Sequence, residues 1–122
     1  MNRADFTYLV ARLILWVVGR GWSAILGEAE RSTEEQIRMY VKGLSKCDGV
    51  RKKSGHQYRD AGGRYAVDLF IHTGDGKIDN PKLYEEAHQV WSEWGGSDMI
   101  TRDLNHFEID TKHTLYGGIK EV

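Results

Sequence analysis

One cysteine, one proline and no long unbroken apolar run set the first limits on this chain. Cys47 alone cannot close an internal disulfide, so the fold holds without one, and synthesis in a reducing compartment is expected. A single proline, Pro81, leaves no proline-rich linker, and there are no repeats or low-complexity tracts. An excess of one charge is missing too. Seventeen Lys and Arg against 18 Asp and Glu give a formal net charge of -1, which offers no general electrostatic reason to bind nucleic acid or an anionic membrane. The strongest apolar stretch, residues 8–18, is interrupted by Arg12. It is too short to span a bilayer, and no small-residue cleavage site follows. Neither a membrane anchor nor a signal peptide is expected.

What is present suits one domain. A length of 122 residues with 40% hydrophobic content can bury a single core but not two. Phe6, Leu9, Val10, Leu13, Ile14, Val17 and Val18 recur at helical spacing, which predicts an amphipathic helix from near Asp5 to Gly19 or Gly21. A short strand is expected over residues 22–26. Ser32-Thr33-Glu34-Glu35 fits a capping box, with Ser32 as the cap and Glu35 reaching back, and opens a second helix that ends about Lys42. Residues 65–71 are largely apolar and read as a central strand buried on both faces. Thr73-Gly74-Asp75-Gly76-Lys77 is turn material. Asn80-Pro81 opens a third helix with Leu83, Ala87, Val90, Trp91 and Trp94 on its apolar face, and Gly95-Gly96 ends it. A last strand is expected over residues 106–109. This order predicts an α+β fold, a small antiparallel sheet flanked by helices.

Three short segments share one chemistry: Ser54-Gly55-His56, Ala66-Val67-Asp68 and Asp103-Leu104-Asn105-His106. Two imidazoles and one carboxylate form a common three-ligand set for a catalytic zinc, leaving a fourth position for water. A further acid nearby supplies a general base. Asp60-Ala61-Gly62-Gly63 reads as a hairpin turn. If Asp60 pairs with Arg64, the ladder sets His56 opposite Asp68, with Cβ atoms about 5 Å apart.

Each residue also has a plainer reading. His56 can be a surface side chain beside Arg51-Lys52-Lys53. Asp68 sits in an apolar strand and needs a partner, which a salt bridge to Arg64 would also supply. An isolated Asp-x-x-His is weak evidence for Asp103 and His106. His88, after Glu85 on the third helix, lacks the second His of a His-Glu-x-x-His pattern and reads as a surface residue. His72 and His113 read as bland, and Cys47 lacks any nucleophile motif around it.

These segments together resemble the zinc D-Ala-D-Ala carboxypeptidase family, which includes VanY-type D,D-carboxypeptidases and phage endolysins that act as L-alanyl-D-glutamate peptidases. The signature is Ser-x-His, then Ala-x-Asp, then an acid three positions before a His. The segment Gly27-Glu28-Ala29-Glu30-Arg31-Ser32 and the closing Trp94-Gly95-Gly96 and His106-Phe107-Glu108 look like the family's flanking pieces. The resemblance implies a hedgehog/DD-peptidase-like fold, zinc on His56, Asp68 and His106, and Asp103 as general base. It also implies Arg31 polarising the scissile carbonyl and Ser54 hydrogen-bonding substrate or a ligand. The His-to-Asp separation is longer than usual, as if residues 59–63 were an inserted hairpin tip. Asp rather than Glu as the base matches the endolysin branch, and Glu108 has the wrong offset from His106 for that role.

The function implied is hydrolysis of a peptide bond in murein stem peptides, with L-alanyl-D-glutamate favoured and D-alanyl-D-alanine carboxypeptidase action as the alternative. The expected partners are wall peptides, with no nucleic acid and no membrane, and the chain is expected to be a monomer. Synthesis in the cytoplasm without a signal peptide would require release or delivery to reach the wall. A non-catalytic zinc-containing wall-binding module is a further alternative, against which Asp103 argues. An adaptor for nucleic acid or protein is suggested only by Arg51-Lys52-Lys53 with Tyr58 and Arg59, which more simply make a solvated basic loop.

Overall fold

Asn2 caps the first helix. Its side chain accepts the Asp5 N–H at 2.8 Å, and the Asp5 carboxylate accepts the Asn2 N–H at 3.0 Å, a reciprocal capping box. The helix, α1, runs over Arg3–Gly19 and so starts two residues before the expected Asp5. A computed structural model describes residues 1–29, 31–47, 49–52, 56, 64–73 and 80–112. Ser54, the Asp60–Gly63 turn, residues 74–77 of the later turn and His113 lie outside the described residues. No described helix is long and apolar enough to cross a membrane.

The elements after α1 are β1 (Ser23–Leu26), α2 (Thr33–Val41), β2 (Arg64–His72), α3 (Pro81–Glu93) and β3 (His106–Asp110). Ser32 caps α2 by accepting the Glu35 N–H at 3.0 Å, while the Glu35 carboxylate pairs with Arg38. Asn80 and Pro81 begin α3 as predicted. The sheet has the order β1-β2-β3 and is antiparallel throughout, so the expected α+β class with a small antiparallel sheet is observed.

The strand β2 serves two neighbours in two halves. Residues from Leu69 to His72 pair with β1, and residues from Arg64 to Asp68 pair with β3. Asp68 sits where the ladders meet. Its N–H donates to Glu28 O at 2.9 Å and its carbonyl accepts the Gly27 N–H at 2.8 Å, while Asp68 stands directly opposite His106. Gly27 lets the chain pass closely there: a Cβ would lie 2.9 Å from the Phe70 ring and 3.1 Å from Asp68 Cβ.

Alternation divides the sheet into two faces. Val67, Leu69 and Ile71 of β2, with Phe107 and Ile109 of β3, point into the core and meet Phe6, Leu9, Leu13 and Val17 of α1 and Leu83, Ala87 and Trp91 of α3. Asp68, Phe70, His106 and Glu108 occupy the other face. The strand is therefore central but not buried on both faces: Phe70 is 37% exposed. Val18 likewise falls outside the buried face of α1.

Helix α3 is fastened to the sheet by polar tips on apolar bodies. Tyr84 Oη accepts the Ile71 N–H at 3.0 Å, and Trp91 Nε1 donates to Glu108 O at 2.8 Å. Between them, His88 Nε2 donates to Leu104 O at 2.7 Å, and its ring stacks on Phe107 with centroids 3.9 Å apart. His88 is thus buried, not a surface residue. It joins Tyr84 and Trp91 on one helical face, a spacing that favours an inward position over the exposed one expected. Burial holds its pKa below the usual imidazole range, against the Leu104 bond that favours the protonated ring.

Candidate metal centre

His56, Asp68 and His106 converge on the open face of the sheet. His56 Nε2 lies 3.3 Å from His106 Nδ1 and 3.4 Å from Asp68 Oδ1, and His106 Nδ1 lies 3.7 Å from the same oxygen. The residues could hold one metal ion through one donor atom each. Donors bonded at about 2.0–2.1 Å to a tetrahedral zinc are separated by about 3.3–3.4 Å. The observed triangle therefore fits such an ion with movements of a few tenths of an ångström. Two imidazoles and one carboxylate are also the donor chemistry that zinc favours.

The route to this cluster differs from the expected hairpin. Asp68 faces His106 across the β2–β3 ladder, and His56 arrives from a turn. The His56 carbonyl accepts the Arg31 N–H, which ties the turn to the segment after β1. The expected opposition of His56 and Asp68 in a ladder is thus replaced by convergence of a turn on a strand pair. The competing salt bridge from Asp68 to Arg64 does not form, because Arg64 Nη1 points to Glu108 Oε2 at 3.8 Å.

Electrostatics mark the cluster as a seat for positive charge. Burial pushes the Asp68 carboxyl up, but His106 and His56 outweigh it and hold the group well below the usual carboxylate range. Burial would pull His106 down, but Asp68 and Glu108 outweigh it and push the imidazole up to about 9. A proton thus takes the place that a cation can take.

Asp103 reaches the edge of the cluster. A tight turn holds it, with Asp103 N–H donating to Ile100 O at 2.9 Å and His106 N–H donating to Asp103 O at 3.1 Å. Its Oδ2 is 3.8 Å from His106 Nδ1, and its side chain is 51% exposed. A carboxylate in that position can exchange protons with a water above the cluster.

Arg31 is placed near the site but turned away from solvent. Its Nε and Nη2 donate to the two oxygens of Glu28 at 2.7 and 2.6 Å, and Nη1 donates to Gln36 Oε1. The Glu28 carboxylate holds the guanidinium pKa above its ordinary value, and Arg31 in turn holds Glu28 low. This arrangement braces the chain beside His56.

Gln36 was missed in the sequence, and Glu108 was weighed there only as a base. Gln36 is fully buried and links Arg31 to Ser45 Oγ and the Cys47 carbonyl. Glu108 accepts from His106 Nε2 at 2.8 Å. A two-residue period on β3 was the available signal for Glu108, while nothing local marks Gln36. No protein-family model matches the chain, and no curated protein matches its sequence.

Proposed function

We propose that the chain is a zinc-dependent peptidase acting on murein stem peptides, on a hedgehog/DD-peptidase-like fold. The observation that carries this reading is the donor triangle of His56, Asp68 and His106 with the open Asp103 carboxylate beside it. The resemblance of the same residues to the carboxypeptidase and endolysin motifs supplies the substrate class.

His56 Nε2, His106 Nδ1 and Asp68 Oδ1 would hold the ion. When bound, zinc supplies Lewis acidity, which lowers the pKa of water and polarises a carbonyl oxygen. Asp103 takes a proton from the attacking water and returns it to the departing amine, as its reach and exposure allow. Arg31 and Glu28 keep the His56 turn in place. Ser54 remains a candidate substrate contact on the strength of the motif alone.

Digestion of purified muropeptides, read by mass spectrometry, tests the reading. Cleavage between L-alanine and D-glutamate is the expected product pattern. Release of a terminal D-alanine alone would identify a carboxypeptidase. Intact muropeptides with a zinc-loaded protein would leave a wall-binding module as the better account.

A further inference from the structure

The zinc reading leaves open what makes His106 present Nδ1, rather than Nε2, to the cluster. A neutral imidazole carries one N–H, and the hydrogen bond made by one nitrogen decides what the other can do. His106 Nε2 is 2.8 Å from Glu108 Oε1, on the side of the ring away from Asp68 and His56. An ionised carboxylate only accepts, so the proton belongs on Nε2 and the lone pair on Nδ1.

The placement of Glu108 is fixed by backbone contacts that do not involve its carboxylate. Its carbonyl accepts Trp91 Nε1 at 2.8 Å and Ser97 N–H at 2.9 Å, and its ladder partner is the small, fully buried Ala66. The Glu108 side chain is 16% exposed, so water competes poorly for the bond to His106. Arg64 lies beyond its second oxygen at 3.8 Å.

We propose that Glu108 is a positioning residue that locks the His106 tautomer and thereby sets the affinity of the centre for a divalent cation. This rests on the metal reading above. A carboxylate behind a ligating imidazole raises the basicity of the ligand nitrogen and fixes the ring, and its loss costs about 10- to 100-fold in metal affinity.

The test uses the full chain, with zinc titrated against a chromophoric chelator. ¹⁵N spectra of the metal-free protein, at a pH where the ring is neutral, report which His106 nitrogen carries the proton. Glu108→Ala should lose about 10- to 100-fold in affinity and the Nε2–H signature, while Glu108→Gln, which keeps an acceptor oxygen at the same reach, should recover most of the affinity. If the alanine variant fails to fold, Glu108→Asp, whose oxygens are drawn back from the ring, should show the affinity loss. Wild-type affinity in a folded Glu108→Ala protein, with the proton still on Nε2, overturns the assignment and leaves the metal centre standing. Failure of the wild type to bind zinc overturns both.

Discussion

In the proposed centre a zinc ion and a proton would compete for His106, and the competition has a calculable size. In the metal-free protein burial favours the neutral ring, but Asp68, Glu108 and Asp103 together outweigh it and raise the group to about 9. At pH 7 about one ring in a hundred is then neutral and ready to ligate, a handicap of about 2.7 kcal/mol. Asp68 is already ionised there and adds no such handicap. Apparent zinc affinity should therefore rise about tenfold per pH unit between about pH 7 and 8.5. Competition with a chelator of known pH dependence measures this, and the His106 ring resonances of the metal-free protein should titrate near 9. Zinc affinity that stays flat over that interval, or a His106 that titrates at or below the ordinary imidazole range, refutes the reasoning.

The same group shapes stability without metal. A raised imidazole pKa stabilises the fold fully below the unfolded value of about 6.5 and loses that contribution as pH rises through about 9. The metal-free protein should weaken by on the order of 3 kcal/mol across that window in urea titrations. Asp103→Asn should keep zinc but lower turnover of stem peptides by about 10²- to 10⁴-fold, separating the base from the ligands in one kinetic and metal-content assay. Gly96→Ala should be among the costliest small changes. A Cβ there would lie 2.1 Å from Trp91 Nε1 and must push a fully buried ring off Glu108 O. A loss of about 1–3 kcal/mol is expected by chemical denaturation.

Local signals were legible and long-range ones were not. Ser32 and Asn80-Pro81 declared the starts of α2 and α3, because caps act within one turn. The apolar spacing of α1 named Phe6, Leu9, Val10, Leu13 and Val17 correctly. The candidate trio was legible as residue types, since a carboxylate inside an apolar strand demands a partner. Its geometry was not. Which strand lies opposite Asp68 depends on pairing across nearly forty positions of sequence, and turn residues at 60–63 favoured the nearer His56 over the actual partner His106. His88 was misplaced for a related reason. A polar side chain on a helix reads as exposed until a buried carbonyl, here Leu104 O, is brought to meet it.

The central claim is that one divalent ion is held by His56, Asp68 and His106 together. Anomalous diffraction at the zinc absorption edge, from crystals of the zinc-loaded protein, addresses it directly. The account predicts one strong peak within bonding distance, about 2.0–2.2 Å, of His56 Nε2, Asp68 Oδ1 and His106 Nδ1. A zinc-loaded crystal with no peak among these three atoms, or with its strong peak on other residues, would contradict it.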